Sequence, residues 1–168
     1  MKQFLVRPST EDDLERITEI YGYHVLHSPA TFEVDPPGRD VMTTRRAAIL
    51  ALGLPYLAAE WEGRVAGYAY AGVYRPRPAY RFTIEDSVYV DPRHGGQGCG
   101  HALLASLIER CEQGPWRQMI AVIGDSGNTA SIRLHQRLGF RSVGTLLAVG
   151  FKFDRWVDTV LMQRGLGS

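Results

Sequence analysis

The residues best suited to chemistry lie in one continuous run, Glu85 and Ser87 followed by the glycines Gly95, Gly96, Gly98 and Gly100. A carboxylate facing a cleft can take a proton. Glycines between a strand-like and a helix-like run let successive backbone amides converge on an anion at the positive end of a helix dipole. Two phosphate-binding patterns are excluded by spacing. A Walker A loop requires a lysine after its last glycine, and none is near; a dinucleotide fingerprint requires a glycine three residues beyond Gly100, where Leu103 stands. What remains is Gly-x-Gly-x-Gly entering a helix, a shape that admits a pyrophosphate or serves only as a tight turn.

Other candidates lie outside this run. Arg75, Arg77 and Arg81 immediately precede the strand that carries Glu85, and an arginine fork matches a carboxylate bidentately. Solvated arginines on a proline-rich loop are the competing reading, favoured for Arg77. Asn128, Ser131 and His135 recur at i, i+3 and i+7 along one helix stripe, while Ala130, Leu134 and Leu138 form another. One stripe can face a ligand while the other packs. His24 and His27 lack a third ligand at zinc-site spacing and read as a helix-end pair, so no metal is expected. Cys99 and Cys111 read as packing residues, and Trp61, Trp116 and Trp156 as core or interface aromatics.

The elements that must position these residues follow from periodicity. "KQFLVR" reads as a strand, and Ser9 or Thr10 caps a helix with acids in its first turn. A second helix covers "RDVMTTRRAAILAL", and two antiparallel strands turn at Gly63. In "RFTIEDSVYV" alternation places Phe82, Ile84, Val88 and Val90 on one face and Thr83, Glu85, Ser87 and Tyr89 on the other. An unbroken pleat puts Asp86 on the apolar face, a costly place for a carboxylate, so a β-bulge near Asp86 is expected. Leu103, Leu104, Leu107, Ile108 and Cys111 stripe the helix after the glycine loop. "QMIAVIG" is a buried strand, Gly139 stops the next helix, and "VGFKF" and "WVDTVLMQ" turn about Asp154 to Arg155. Alternating strands and helices over residues 1–168, without repeats or linkers, indicate one α/β (α+β) domain.

Composition narrows the function classes. The 168 residues are 45% hydrophobic and 22% charged, and the net charge of +1 supplies no long-range field for nucleic acid or an anionic membrane. No apolar run approaches the roughly 20 residues of a membrane span, and the N-terminus lacks the regions of a signal peptide. A cytoplasmic protein with reduced thiols is expected.

"SVYVDPRHGGQGCGHALL" resembles the acetyl-CoA-binding motif of the GNAT N-acetyltransferase superfamily. Gly98 and Gly100 match its glycines, whereas Gly95 stands where Gln or Arg is usual, leaving His94 or Arg93 to compensate. "IYGYHVLHSPATFE", "YRPRPAYRFTIEDSVYV", "AVIGDSGNTASIRLHQRLGF" and "VGFKFDRWVDTVLMQ" extend the likeness over nearly the whole chain. They narrow it to the phosphinothricin and methionine sulfoximine acetyltransferase branch, with Gly22 where that branch often has Asn. The resemblance implies the GNAT fold: a mixed, mostly antiparallel sheet with about four flanking helices and a splayed central strand.

It further implies direct attack of a small amino acid's α-amine on acetyl-CoA, with Glu85 as general base and His135 where relatives carry the tyrosine that protonates the thiolate; a core or capping histidine is the other reading of His135. Val88, Tyr89 and Val90, the loop residues Gly95, Gly96, Gln97, Gly98, Cys99, Gly100 and His101, and Asn128 with Ser131 would hold acetyl-CoA. Arg75, with Arg77 and Arg81, would take the acceptor's α-carboxylate, while Ser87, Phe32 and Glu33 line the acceptor side. A homodimer is implied. The rival readings are a GNAT enzyme with another acceptor (another amino acid, a polyamine or a protein N-terminus) and a non-catalytic acyl-CoA-binding sensor.

Overall fold

A computed structural model describes residues 2–167. Strand β1 (Leu5–Pro8) leads through a single 3-10 turn into helix α1 (Leu14–His27). The carboxylate of Asp13 ties this entrance together: it accepts from the Thr10 amide at 2.7 Å and from both terminal nitrogens of Arg7 at 2.8 and 2.9 Å. Helix α2 (Arg39–Ala51) follows, then β2 (Tyr56–Trp61) and β3 (Arg64–Val73), which turn at Glu62 and Gly63. Next come β4 (Thr83–Val90), α3 (Cys99–Glu112), β5 (Gln118–Gly124), α4 (Thr129–Arg137), β6 (Arg141–Lys152) and β7 (Arg155–Gly165). β6 begins well before the expected "VGFKF".

The seven strands form one sheet in the order β1-β2-β3-β4-β5-β7-β6, in which β4–β5 is the parallel pair and the others are antiparallel. This is the mixed, mostly antiparallel sheet with four helices that the resemblance implied. Each face has its own core. Leu103, Leu104, Leu107, Ile108 and Cys111 of α3 pack on Ala69, Ala71, Ile84, Met119 and Met162. On the opposite face Leu14, Ile17, Ile20, Tyr21 and Val25 of α1 and Met42 of α2 pack on Tyr56, Ala58 and Tyr68.

The expected bulge at Asp86 is absent. β4 pairs with β3 in unbroken register from Val73↔Ile84 to Gly67↔Val90. Asp86 stays on the inner face at 7% exposure. It is tolerated there because His135 of α4 reaches its carboxylate, a partner that local patterning does not reveal. Register shifts occur instead in β2, at Ala59/Glu60, and in β6, at Ser142/Gly144 and Leu146/Gly150. In the last of these Leu147, Ala148 and Val149 bow outward, and the Ala148 amide donates to Asp158 Oδ1 at 2.9 Å. Trp61 and Trp116 pack against the core, whereas Trp156 is 66% exposed.

The N-terminus of α3 sits tightly on the sheet because β3 has no side chain where they meet. A Cβ at Gly67 would lie 2.9 Å from the Tyr89 carbonyl oxygen and 3.0 Å from Cys99 Sγ. Gly67→Ala is therefore expected to cost about 1–3 kcal/mol through overpacking, seen as a lower urea midpoint; an unchanged midpoint would show that α3 does not need this approach.

Candidate active site

β4 presents two chemistries on opposite faces. Glu85, Ser87 and Tyr89 point toward α1 and the tyrosine-rich core, while Asp86 points toward α3 and α4. Pairing with β5 covers only Thr83↔Gln118, Ile84↔Met119 and Glu85↔Ile120. Beyond Glu85 the two strands part, which is the expected splay.

The backbone in that gap can be assigned. The Asp91 amide donates to Ala66 O at 2.8 Å, so the 66/91 pair is a hydrogen-bonded one. Antiparallel alternation then makes 67/90 and 69/88 non-hydrogen-bonded pairs, and the N–H and C=O groups of Val88 and Val90 point away from β3 into the gap. His24 of α1 crosses to this strand and its Nε2–H donates to Val90 O at 2.8 Å. Burial lowers the His24 pKa, keeping the ring neutral.

At the end of β4 a 3-10 turn, Pro92–His94, leads into the glycine loop. Gly98 caps α3 in the left-handed region with φ 97°. The first amides of α3 lack intrahelical acceptors and face this end of the gap. The gap, the loop and α4 together enclose a cavity of about 1020 Å³. Val88, Tyr89, Val90, Gly95, Gly96, Gly98, Gly100, His101, Asn128 and Ser131 line it, together with Glu85, His135, Ser87 and Phe32. These fourteen wall residues are all candidates that the sequence singled out.

Two loop residues face elsewhere. Gln97 turns back to donate to Arg93 O at 3.1 Å, and Cys99 is 1% exposed in the core. Arg75, Arg77 and Arg81 are exposed on the segment before β4 rather than on the cavity wall, with Arg75 over the Tyr74 ring and Arg81 over Phe82. Glu33 also lies off the wall. Arg45 of α2 grips it through two hydrogen bonds of 2.6 and 3.0 Å, Tyr21 donates to it, and the Arg45 charge lowers its pKa.

The electrostatics single out Glu85. Burial, followed by the neighbouring charge of Asp86, pushes its pKa up to about 7, while Arg75 pulls it back. On α4, Asn128 caps the helix by accepting from the Ser131 amide at 3.3 Å. His135, 4% exposed, donates from Nδ1 to Ser131 O at 2.7 Å, and its Nε2 lies 2.9 Å from Asp86 Oδ2. The Asp86 carboxylate outweighs burial and raises the imidazole pKa.

Sequence reasoning missed several functional neighbours. Arg133 and Arg137 bring positive charge to the cavity from successive turns of α4. Lys152 is 4% exposed and donates to Ser28 O at 2.8 Å and Thr31 O at 2.7 Å, fixing the segment that carries Phe32. Helical spacing from Ala130, at i+3 and i+7, could have revealed the two arginines; no local pattern reveals the Lys152 contact.

Known proteins place this arrangement. A model of the acetyltransferase (GNAT) family matches residues 18–140. The chain is 58% identical to a phosphinothricin N-acetyltransferase of Alcaligenes faecalis, over 97% of this chain and 83% of that protein. It is 40% identical to an L-methionine sulfoximine/L-methionine sulfone acetyltransferase of Salmonella typhimurium, over 94% and 92%. Its fold superposes on a phosphinothricin acetyltransferase from Sinorhizobium meliloti in complex with acetyl-CoA, with TM-score 0.96, 47% identity and coverage of 99% and 90%. The chain belongs to the GNAT acetyltransferase family. It is an acetyl-CoA-dependent N-acetyltransferase.

The residues present fit that co-substrate. The unpaired Val88 backbone and Val90 amide suit an amide-rich arm, and the α3 amides with Arg133 and Arg137 suit phosphates. Cys99 is no nucleophile: burial pushes its thiol, like that of Cys111, up to about 12. A disulfide reagent at pH 8 is expected to label neither cysteine in the native protein and both in urea; fast native labelling would contradict this.

Proposed function

We propose that the chain transfers acetyl from acetyl-CoA to the α-amine of a small amino acid such as phosphinothricin, methionine sulfoximine or methionine sulfone, with Glu85 as general base. One observation carries the reading: a half-buried carboxylate with a pKa near 7 stands where β4 leaves β5, next to the unpaired Val88 backbone. The names of the relatives supply the acceptor class.

An ammonium has no lone pair to attack with, so Glu85 draws off its proton and the amine attacks neutral. Attack on the thioester carbonyl develops an oxyanion, and the Val88 N–H is the donor aimed into the gap. Val88, Tyr89, Val90, the glycine loop, Asn128 and Ser131 hold the acetyl-CoA. His135 protonates the departing thiolate. Phe32 and Ser87 wall the acceptor side, and Arg75, exposed on the segment before β4 with its charge reaching Glu85, takes the α-carboxylate from outside the wall.

The assembly we propose is a homodimer. Leu147, Val149, Phe151 and Trp156 on β6 and β7 are 75%, 54%, 58% and 66% exposed, an apolar face of the kind that association covers. Sedimentation equilibrium is expected to return twice the 18.8 kDa chain mass; a monomer at micromolar concentration would refute it.

Release of free thiol from acetyl-CoA tests the reaction. It is expected with L-phosphinothricin or L-methionine sulfoximine and not with spermidine. Release with spermidine alone, or tight acetyl-CoA binding with no transfer, would overturn the reading. Glu85→Gln is expected to lower kcat about 10²–10⁴-fold with acetyl-CoA affinity retained. Because the base works deprotonated, wild-type kcat/KM should rise with pH through about 7.

A further inference from the structure

We propose that Asp86 is a positioning residue that keeps a transferable proton on His135 Nε2, so that the two form a buried dyad supplying the leaving thiolate. This rests on His135 as the general acid and adds what makes it one. A backbone carbonyl only accepts, so Nδ1, 2.7 Å from Ser131 O, carries a hydrogen. A neutral ring would then leave Nε2 bare and unable to protonate anything. Asp86 Oδ2, 2.9 Å away, changes this by giving a proton on Nε2 an anionic partner. The edge of the Phe140 ring, with centroids 4.9 Å apart, closes the far side of the imidazole.

The dyad is also in the right place. Asp86 is the first β4 residue beyond the last β4–β5 pair, and both Asp86 and His135 line the cavity on the face opposite Glu85. Base and acid therefore flank the gap from the two sides of one strand. In the step, the N–C bond forms and the C–S bond breaks with its electron pair on sulfur. The dyad gives its proton to sulfur, leaving a neutral imidazole beside a carboxylate, and the amine's second proton goes to Glu85, which has by then passed the ammonium's first proton to water. Water restores both groups before the next turnover.

The titratable groups that feel the Asp86 charge are the Cys111 thiol from α3, on the same face, and Glu85, on the opposite face of the same strand. Neither supplies a countercharge to the imidazolium near neutral pH: the Cys111 thiol, pushed up to about 12, stays protonated, and Glu85 points to the other face.

Asp86→Asn preserves shape and hydrogen bonding, because the amide N–H can donate to a bare Nε2, but it removes the proton. The expected result is a kcat lower by about 100-fold or more, with the acetyl-CoA dissociation constant within about threefold. The basic limb of the wild-type pH profile should vanish, and the acid limb should move to lower pH as Glu85 loses its negative neighbour. Near-wild-type kcat with an intact basic limb would overturn the dyad. His135→Phe separates the two claims: if it keeps wild-type kcat, the general acid itself is wrong, whereas loss of kcat there with an active Asp86→Asn refutes Asp86 alone. A measurement on the native protein needs no substitution. Its ¹⁵N spectrum at pH 7.5 should show both His135 ring nitrogens protonated, and an unprotonated Nε2 would overturn the proposal.

Discussion

The separation of β4 from β5 is the constraint on which the remaining structure turns. Two parallel strands that have begun to pair normally continue, since an unpaired backbone N–H or C=O away from water is costly. Here pairing ends after Glu85↔Ile120, although both strands run on to Val90 and Gly124. The contact from α4 at this point is the 2.9 Å hydrogen bond between His135 and Asp86, made where the last rung is lost. His24 takes up the Val90 carbonyl, but the Val88 backbone keeps its valence for a ligand. The cavity is thus a gap in a sheet, and its strand geometry suits an amide-bearing arm.

In the proposed mechanism one strand serves both sides of the reaction. Alternation sends Glu85 to the tyrosine-rich face and Asp86 to the face of α3 and α4. The same buried Asp86 charge raises the pKa of Glu85 and of His135. In the mechanism proposed above, this shift tunes the carboxyl as a base and favours the protonated imidazole as an acid, two opposite roles drawn from a single charge.

What the sequence disclosed was local. The glycine loop, the apolar stripe of α3 and the turn at Gly63 each depend on residues within a few positions, and all stand where periodicity placed them. The family likeness supplied the splay and the candidate base. One expectation that failed, a bulge at Asp86, did so because the partner lies 49 residues away. His24 and Val90 are 66 residues apart, and Lys152 and Ser28 are 124 apart. Such contacts leave no trace in periodicity, since each is one polar side chain meeting a backbone oxygen or a carboxylate that tertiary packing brings near. The glycine count was also a poor guide to contact: within the loop Cys99 turned inward to the core and Gln97 back to Arg93.

The central claim is that the Val88 and Val90 amides are unpaired until acetyl-CoA arrives. Amide hydrogen exchange, resolved by residue in the free and acetyl-CoA-bound protein, tests it directly. The account predicts that these two amides exchange faster than those of Ile84 and Ser87 in the free protein and are strongly protected on binding. Equal protection in both states, or fast exchange that acetyl-CoA leaves unchanged, would contradict it.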